Sequence, residues 1–270
     1  MNKTIGFIGL GVMGFPMAGH LSKIFEVSVF NRSHSKSEKW KKNFSGTSYN
    51  SIKEIICGHD GAIDFLKPGS IIIDHTTTTS DLAIELSSLL KPKKISFIDA
   101  PISGGQSGAE SGKLSIMIGG ERQSYEKVKN VLNTYSKFYK YMGPSGSGQL
   151  TKMVNQICIA GLIQALSEGM NFADKVGLNI RSVIEVISKG AAQSWQMENR
   201  WETMLKDNYD HGFAVDLMKK DLDIVIKKAS KENINIEVTK IIDNYYKEIQ
   251  GAGGGKWDTS SLYKRLKDIV

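Results

Sequence analysis

The stretch Ile5-Gly6-Phe7-Ile8-Gly9-Leu10-Gly11-Val12-Met13-Gly14 constrains this chain more than any other. A short apolar strand pattern runs straight into glycines spaced G-x-G-x-x-G, and a helical pattern over 13–23 follows. Gly9 permits a tight turn, Gly11 lets the backbone close on a pyrophosphate, and Gly14 lets helix and strand pack closely. The helix N-terminus then offers N–H groups and the positive end of its dipole to an anion. The spacing alone is a weak signal, and a structural glycine turn is the competing reading. The strand before it and the helix after it are the context that a dinucleotide site requires. Gly9, Leu10, Gly11, Val12, Met13 and Gly14 are therefore candidate cofactor contacts.

The rest of the first half repeats the alternation. "VSVF" precedes the polar helix "SHSKSEKWKKN", "SIIID" precedes "TSDLAIELSSLL", and "LSIMIGG" precedes "ERQSYEKVKNVLNTY". Strands alternating with helices predict a mostly parallel sheet covered on both faces. After "GPSGSG" the strand patterns stop, and helices are expected over 148–177, 180–189, 195–206, 214–231 and 235–249. The expectation is an α/β Rossmann-type dinucleotide-binding domain over 1–146, followed by an all-α substrate and oligomerisation domain over 147–270.

The net charge of +7 comes from scattered lysines, and no nucleic-acid-binding signature accompanies them. Anionic small ligands suit such a surface, and no nucleic acid is expected. Cys57 and Cys158 belong to no paired motif, so neither a disulfide nor a metal site is expected. The N-terminus lacks a signal-peptide pattern, and no run of about 20 apolar residues suggests a membrane span. The expectation is a cytoplasmic protein.

Where dinucleotide sites that bind NAD carry a carboxylate for the ribose hydroxyls, this chain has Asn31, then Arg32 and Ser33. Asn, Arg and Ser can donate to a 2′-phosphate that a carboxylate would repel, which favours NADP over NAD. A polar turn after a strand is the bland alternative. Ser103-Gly104-Gly105, just past "ISFIDAPI", can expose consecutive N–H groups to a carboxylate, or can be a plain loop. Lys152 lies near the start of an otherwise apolar helix, three residues before Asn155 and on the same face. A lysine in a partly dry cleft can exchange protons near neutral pH. A lysine snorkelling from a helix end is the alternative.

Together "GFIGLGVMGFPMA", "DAPISGG", "GSGQLTKMVNQ", "FAVDLMKKDL" and "WDTSSL" resemble the β-hydroxyacid dehydrogenase family over nearly the whole chain. That family includes 3-hydroxyisobutyrate dehydrogenases and glyoxylate/succinic semialdehyde reductases. The resemblance implies that Lys152 is the general acid/base. It implies that Ser103, Gly104, Gly105 and Asn155 surround the substrate carboxylate and reacting oxygen, and that Phe213 lines the substrate pocket. It implies that Thr77 and Lys220 reach the cofactor, although Thr77 could instead cap the following helix and Lys220 could sit on a solvated face. The implied activity is NADP-dependent hydride transfer on a small β-hydroxy acid or its semialdehyde or 2-oxo acid form. A glyoxylate or succinic semialdehyde reductase is the near alternative, and a non-catalytic dinucleotide sensor or structural protein the distant one. The apolar 150–170 helix further predicts a homodimer or homotetramer.

One departure stands out. Family members carry a further strand and helix, roughly 20 residues on the βα-unit scale, where this chain reads "CGHDGAIDF". That strand would neighbour the first one, and its loss would leave neighbours with unpaired backbone groups.

Overall fold

The computed structural model describes residues 4–31, 34–48 and 66–268. The chain falls into two compact units, Met1–Lys152 and Met153–Val270.

In the first unit, β1 (Thr4–Ile8), α1 (Gly14–Ser22), β2 (Glu26–Phe30), α2 (His34–Asn43) and β3 (Thr47–Ser48) build a parallel sheet of order β1-β2-β3. Ile5 pairs with Val27, and Ser28 with Thr47. The second sheet holds β4 (Ile71–Asp74), β5 (Ser96–Asp99), β6 (Ile102–Ser103), β7 (Leu114–Gly120) and β8 (Ser136–Gly143). Its helices are α3 (Ser80–Leu90), α4 (Gly105–Glu110) and α5 (Arg122–Leu132). β4 and β5 are parallel, as are β7 and β8, but β7 runs antiparallel to both β5 and β6. The sheet is thus less uniformly parallel than the sequence pattern suggests. β5 and β6 pair with the two ends of β7, with Ala100-Pro101 between them; proline has no N–H for a ladder, so β5 ends there.

Among the described residues no strand joins β1 to β4, and the unit contains two sheets rather than one. The segment in which the expected strand is missing lies outside the described residues. A single buried cluster nevertheless holds residues of both sheets, including Val27, Val29, Ile98, Ile116 and Ile118, with Leu21 of α1 and Trp40 of α2. The Trp40 indole N–H finds the Phe15 carbonyl at 3.2 Å, so its burial leaves no donor unpaired.

The second unit is helical, as its sequence predicts. The long helix α6 (Ser147–Lys175) runs from the first unit into it. α7 (Ile180–Ile187), α8 (Trp195–Leu205), α9 (Val215–Lys231), α10 (Glu237–Gly251) and α11 (Leu262–Asp268) follow. Asn179 and Ser194 cap α7 and α8 by accepting the Ser182 and Met197 N–H groups. One core gathers Leu166, Met170, Ile184, Trp201 and Met204. A second gathers Ala160, Ile163, Met218, Leu222 and Tyr246. Each draws on one stripe of α6 at helical spacing.

Candidate active site

The glycine turn has the form its sequence predicts. Gly9 adopts φ +93°, a conformation that favours glycine, and its N–H donates to the Phe30 carbonyl at 2.9 Å. A Cβ on Gly14 would stand 1.9 Å from the Gly9 carbonyl oxygen, so the third glycine is where helix meets turn. A Cβ on Gly11 would meet nothing within 4 Å. That open side is where a pyrophosphate needs to approach. No side chain caps α1, and its first turn holds no acidic residue. These residues fit the pyrophosphate of a nicotinamide dinucleotide. Asn31 turns inward: its Oδ1 accepts the Leu10 N–H at 2.9 Å and ties the end of β2 to the glycine turn. Arg32 and Ser33 lie outside the described residues.

Around α6, the first unit brings three strand ends together. Lys152 is only 7% exposed, and its Nζ donates to the Ile102 carbonyl at 2.9 Å. Ile102 immediately precedes Ser103-Gly104-Gly105, so the lysine and the predicted anion turn share one place. Gly104 and Gly105 take φ +127° and +61°, and a Cβ on Gly105 would meet nothing within 4 Å. Gly104 packs against Leu114, whose Cδ2 a Cβ there would meet at 3.3 Å, so the open side of this turn is at Gly105, where N–H groups can be presented to a small anion. At the end of β4, Gln149 donates from Nε2 to the Thr76 carbonyl at 2.7 Å and accepts the Thr78 N–H at 3.0 Å. The cap of α3 is Thr79, whose hydroxyl accepts from Leu82, so Thr77 is not the capping residue.

His75 is tied into the first unit by two hydrogen bonds. It lies between the Ala100 carbonyl (Nδ1, 2.7 Å) and the Tyr135 hydroxyl (Nε2, 3.0 Å). A carbonyl only accepts, so Nδ1 carries the proton and Nε2 accepts from tyrosine. Burial lowers its pKa from 6.5.

In the second unit, Asn155 donates from Nδ2 to Gln156 Oε1 at 2.7 Å, and Gln156 Nε2 donates to buried Asp221 at 2.7 Å. Lys220 Nζ lies 3.0 Å from the other oxygen of Asp221. Asn155 and Lys220, predicted separately, are therefore joined through Gln156 and Asp221. Half-buried Phe213 is held by its N–H, which donates to Asp258 at 2.8 Å; Arg200 pairs with the same carboxylate at 3.3 Å. Sequence reasoning missed Asp99, Asp221 and Asp258. Each is a buried acid inside a motif, but no sequence signal assigns it a role of its own.

Among the described residues no cluster of three His, Cys, Asp or Glu could hold a metal, and no helix is long and apolar enough to cross a membrane. Residues 146–266 match the family profile described as NAD-binding of NADP-dependent 3-hydroxyisobutyrate dehydrogenase. Residues 4–56 and 47–143 match the NAD binding domain of 6-phosphogluconate dehydrogenase. An oxidoreductase of Shewanella frigidimarina is 45% identical over 97% of this chain and 98% of its own. A probable 3-hydroxyisobutyrate dehydrogenase-like protein of Arabidopsis thaliana is 34% identical over 99% of this chain and 86% of its own. The chain belongs to the β-hydroxyacid dehydrogenase family. It is an NAD(P)-dependent hydroxyacid oxidoreductase. The 2-hydroxy-3-oxopropionate reductase of Escherichia coli, 29% identical over 97% of each chain, is a further member. The family fold is also that of the Mycobacterium tuberculosis 3-hydroxyisobutyrate dehydrogenase solved with L-serine. It superposes with a TM-score of 0.85 at 23% identity, covering 99% of this chain and 100% of that one.

The departure from the family pattern has a counterpart in these matches. The alignment with the Shewanella relative runs over 284 positions, although this chain has 270 residues in all. The alignment therefore includes positions at which this chain has no residue. The N-terminal profile matches in two pieces, which overlap over residues 47–56.

Proposed function

We propose that the protein transfers a hydride between NADP and a small β-hydroxy acid or its semialdehyde or 2-oxo acid form, with Lys152 as general acid/base. The observation that carries this reading is the Lys152 Nζ contact with Ile102, one residue before the Ser103-Gly104-Gly105 turn, which is open at Gly105. A substrate carboxylate on that turn would hold its carbinol within the lysine's reach. The bound dinucleotide supplies the hydride acceptor or donor. Lys152 takes the hydroxyl proton in oxidation and returns it to the alkoxide in reduction. Asn155, steadied by Gln156, orients the reacting oxygen, and Phe213 walls the pocket. Gly9 to Gly14 hold the pyrophosphate. Family resemblance assigns Asn31, Arg32 and Ser33 to the adenosine end; the sequence there carries no carboxylate, which is the ground for NADP over NAD. Thr77 and Lys220 complete the cofactor contacts. The working form is a homodimer or homotetramer, and the compartment is the cytoplasm.

The test is kinetic. A panel of short hydroxy acids and semialdehydes, assayed with NADPH, NADP, NADH and NAD, identifies substrate class and cofactor. Lys152→Ala should lower kcat by about 10²–10⁴-fold while NADPH affinity stays near parental. Lys152→Arg should not rescue, because a guanidinium keeps its proton at working pH. Parental turnover in either variant returns Lys152 to a packing role.

A further inference from the structure

Asp99 ends β5 and is fully buried. Its Oδ1 accepts the Gly146 N–H at 2.8 Å and its Oδ2 the Gln149 N–H at 3.0 Å. Both donors belong to the start of α6, where N–H groups have no partner within the helix. The negative charge also faces the positive end of a 29-residue helix. Space is cleared around the carboxylate. A Cβ on Gly119 would come within 2.5 Å of Oδ1, and one on Gly148 within 2.8 Å of Oδ2. Burial pushes the Asp99 carboxyl up, and the N–H bonds from Gly146 and Gln149 oppose that push.

We infer that Asp99 is a positioning residue that sets the place of Lys152; this rests on the general acid/base reading of that lysine. Lys152 is three residues beyond Gln149, one turn further along α6. The oxygen it meets belongs to Ile102, three residues beyond Asp99 on the other arm. Asp99 thus clamps the two segments whose ends meet at Lys152 Nζ. Gln149 adds a second fastening, to Thr76 and Thr78. A carboxylate accepts at both oxygens, whereas an amide can accept at only one and turns a donor toward the other N–H. Asp99→Asn therefore loosens one side of the clamp with almost no change in volume.

The experiment is a double-mutant cycle on the full chain. Asp99→Asn should lower kcat by about 10–100-fold, the scale expected for a displacement near 1 Å, with NADPH affinity within about twofold of parental. In the Lys152→Ala background the same substitution should cost less than about twofold more, because its route runs through the lysine. A purely structural role would lower kcat by the same factor in both backgrounds and would overturn the inference. Gln149→Met, which leaves the carboxylate clamp in place, should cost less than Asp99→Asn; a larger loss would overturn Asp99 as the principal anchor. Amide hydrogen exchange supplies a readout independent of turnover. Asp99→Asn should speed exchange at 146–152 and leave 160–175 unchanged. Unchanged exchange at 146–152 overturns the clamp even in an inactive parent. Parental turnover in Lys152→Ala, with accelerated exchange in Asp99→Asn, overturns the lysine's chemical role and leaves the clamp standing.

Discussion

At the scale of single residues, Asn31 shows how a position can serve two ends. The sequence marks it as a ribose-side residue, and its Oδ1 is bonded to the Leu10 N–H. An aspartate keeps that acceptor and adds a charge that repels a 2′-phosphate. Asn31→Asp should therefore shift the kcat/KM ratio toward NAD by about 1–3 kcal/mol, about 5–150-fold. An unchanged ratio removes position 31 from the specificity argument. His75 makes a pH prediction. Its folded pKa is lowered from 6.5, so the native state favours the neutral ring. Its stability contribution is complete above the unfolded value and is lost as pH falls from about 6.5 through the folded pKa. Stability, followed by melting temperature, should fall between pH 7 and 5, at up to about 1.4 kcal/mol per pH unit. His75→Gln should flatten that slope while lowering stability throughout; an unaltered slope would assign it to other groups. The glycines were legible because a tight turn and a close helix–strand contact demand them at that spacing, and Lys152 because it is a lone cation near the start of an apolar helix. Asp99 was not, because the atoms it holds are backbone N–H groups 47 and 50 residues away.

At the scale of elements, the helices and most strands follow from periodicity, and α6 was visible as one long apolar helix. Its burial was not. A helix apolar on most faces is expected to be covered all round, but the structure covers only part of it. Leu150, Val154, Leu162 and Phe172 on it, and Val176 just past its end, remain exposed, at 42%, 60%, 42%, 66% and 53%. Steps of three and four residues through Cys158, Ala165 and Gly169 join them into one stripe. That stripe supports the proposed self-association: a second copy would remove it from water, at roughly 1.5–3 kcal/mol per large side chain fully buried. Light scattering at micromolar concentration should give at least a dimer. Phe172→Asp would put an unpaired carboxylate into that contact and should weaken association by about 100-fold or more. A monomeric parent would count against the stripe as a contact between copies.

At the scale of the whole molecule, the two sheets of the first unit pose the largest physical question. Strands of a parallel α/β sheet are ordinarily buried on both faces. Ile71 and Ile73 pack on one hydrophobic cluster and Ile72 on another, yet all three are only half-buried. Ile8, at the end of β1, is 52% exposed. Among the described residues neither β1 nor β4 has a neighbour on its other edge. The sequence signalled this gap by what was missing between "CGHD" and "GAIDF", and the split profile match falls beside it. The shared core around Val29 and Ile98 packs residues of both sheets together, and among the described residues no backbone ladder joins the two. An added strand would pair N–H and C=O groups on both edges and cover the half-exposed isoleucines. Inserting after Gly58 a strand-and-helix segment of roughly 20 residues, as the family pattern has there, should therefore raise the melting temperature by about 5 °C or more. It should also tighten NADPH binding, because the loop after such a strand lies beside the glycine turn at the carboxyl ends of the strands. Calorimetry and a fluorescence titration on the two chains decide it. Equal melting temperatures would mean that the two sheets need no strand between them. A higher melting temperature with unchanged NADPH affinity would confine the segment's role to stability.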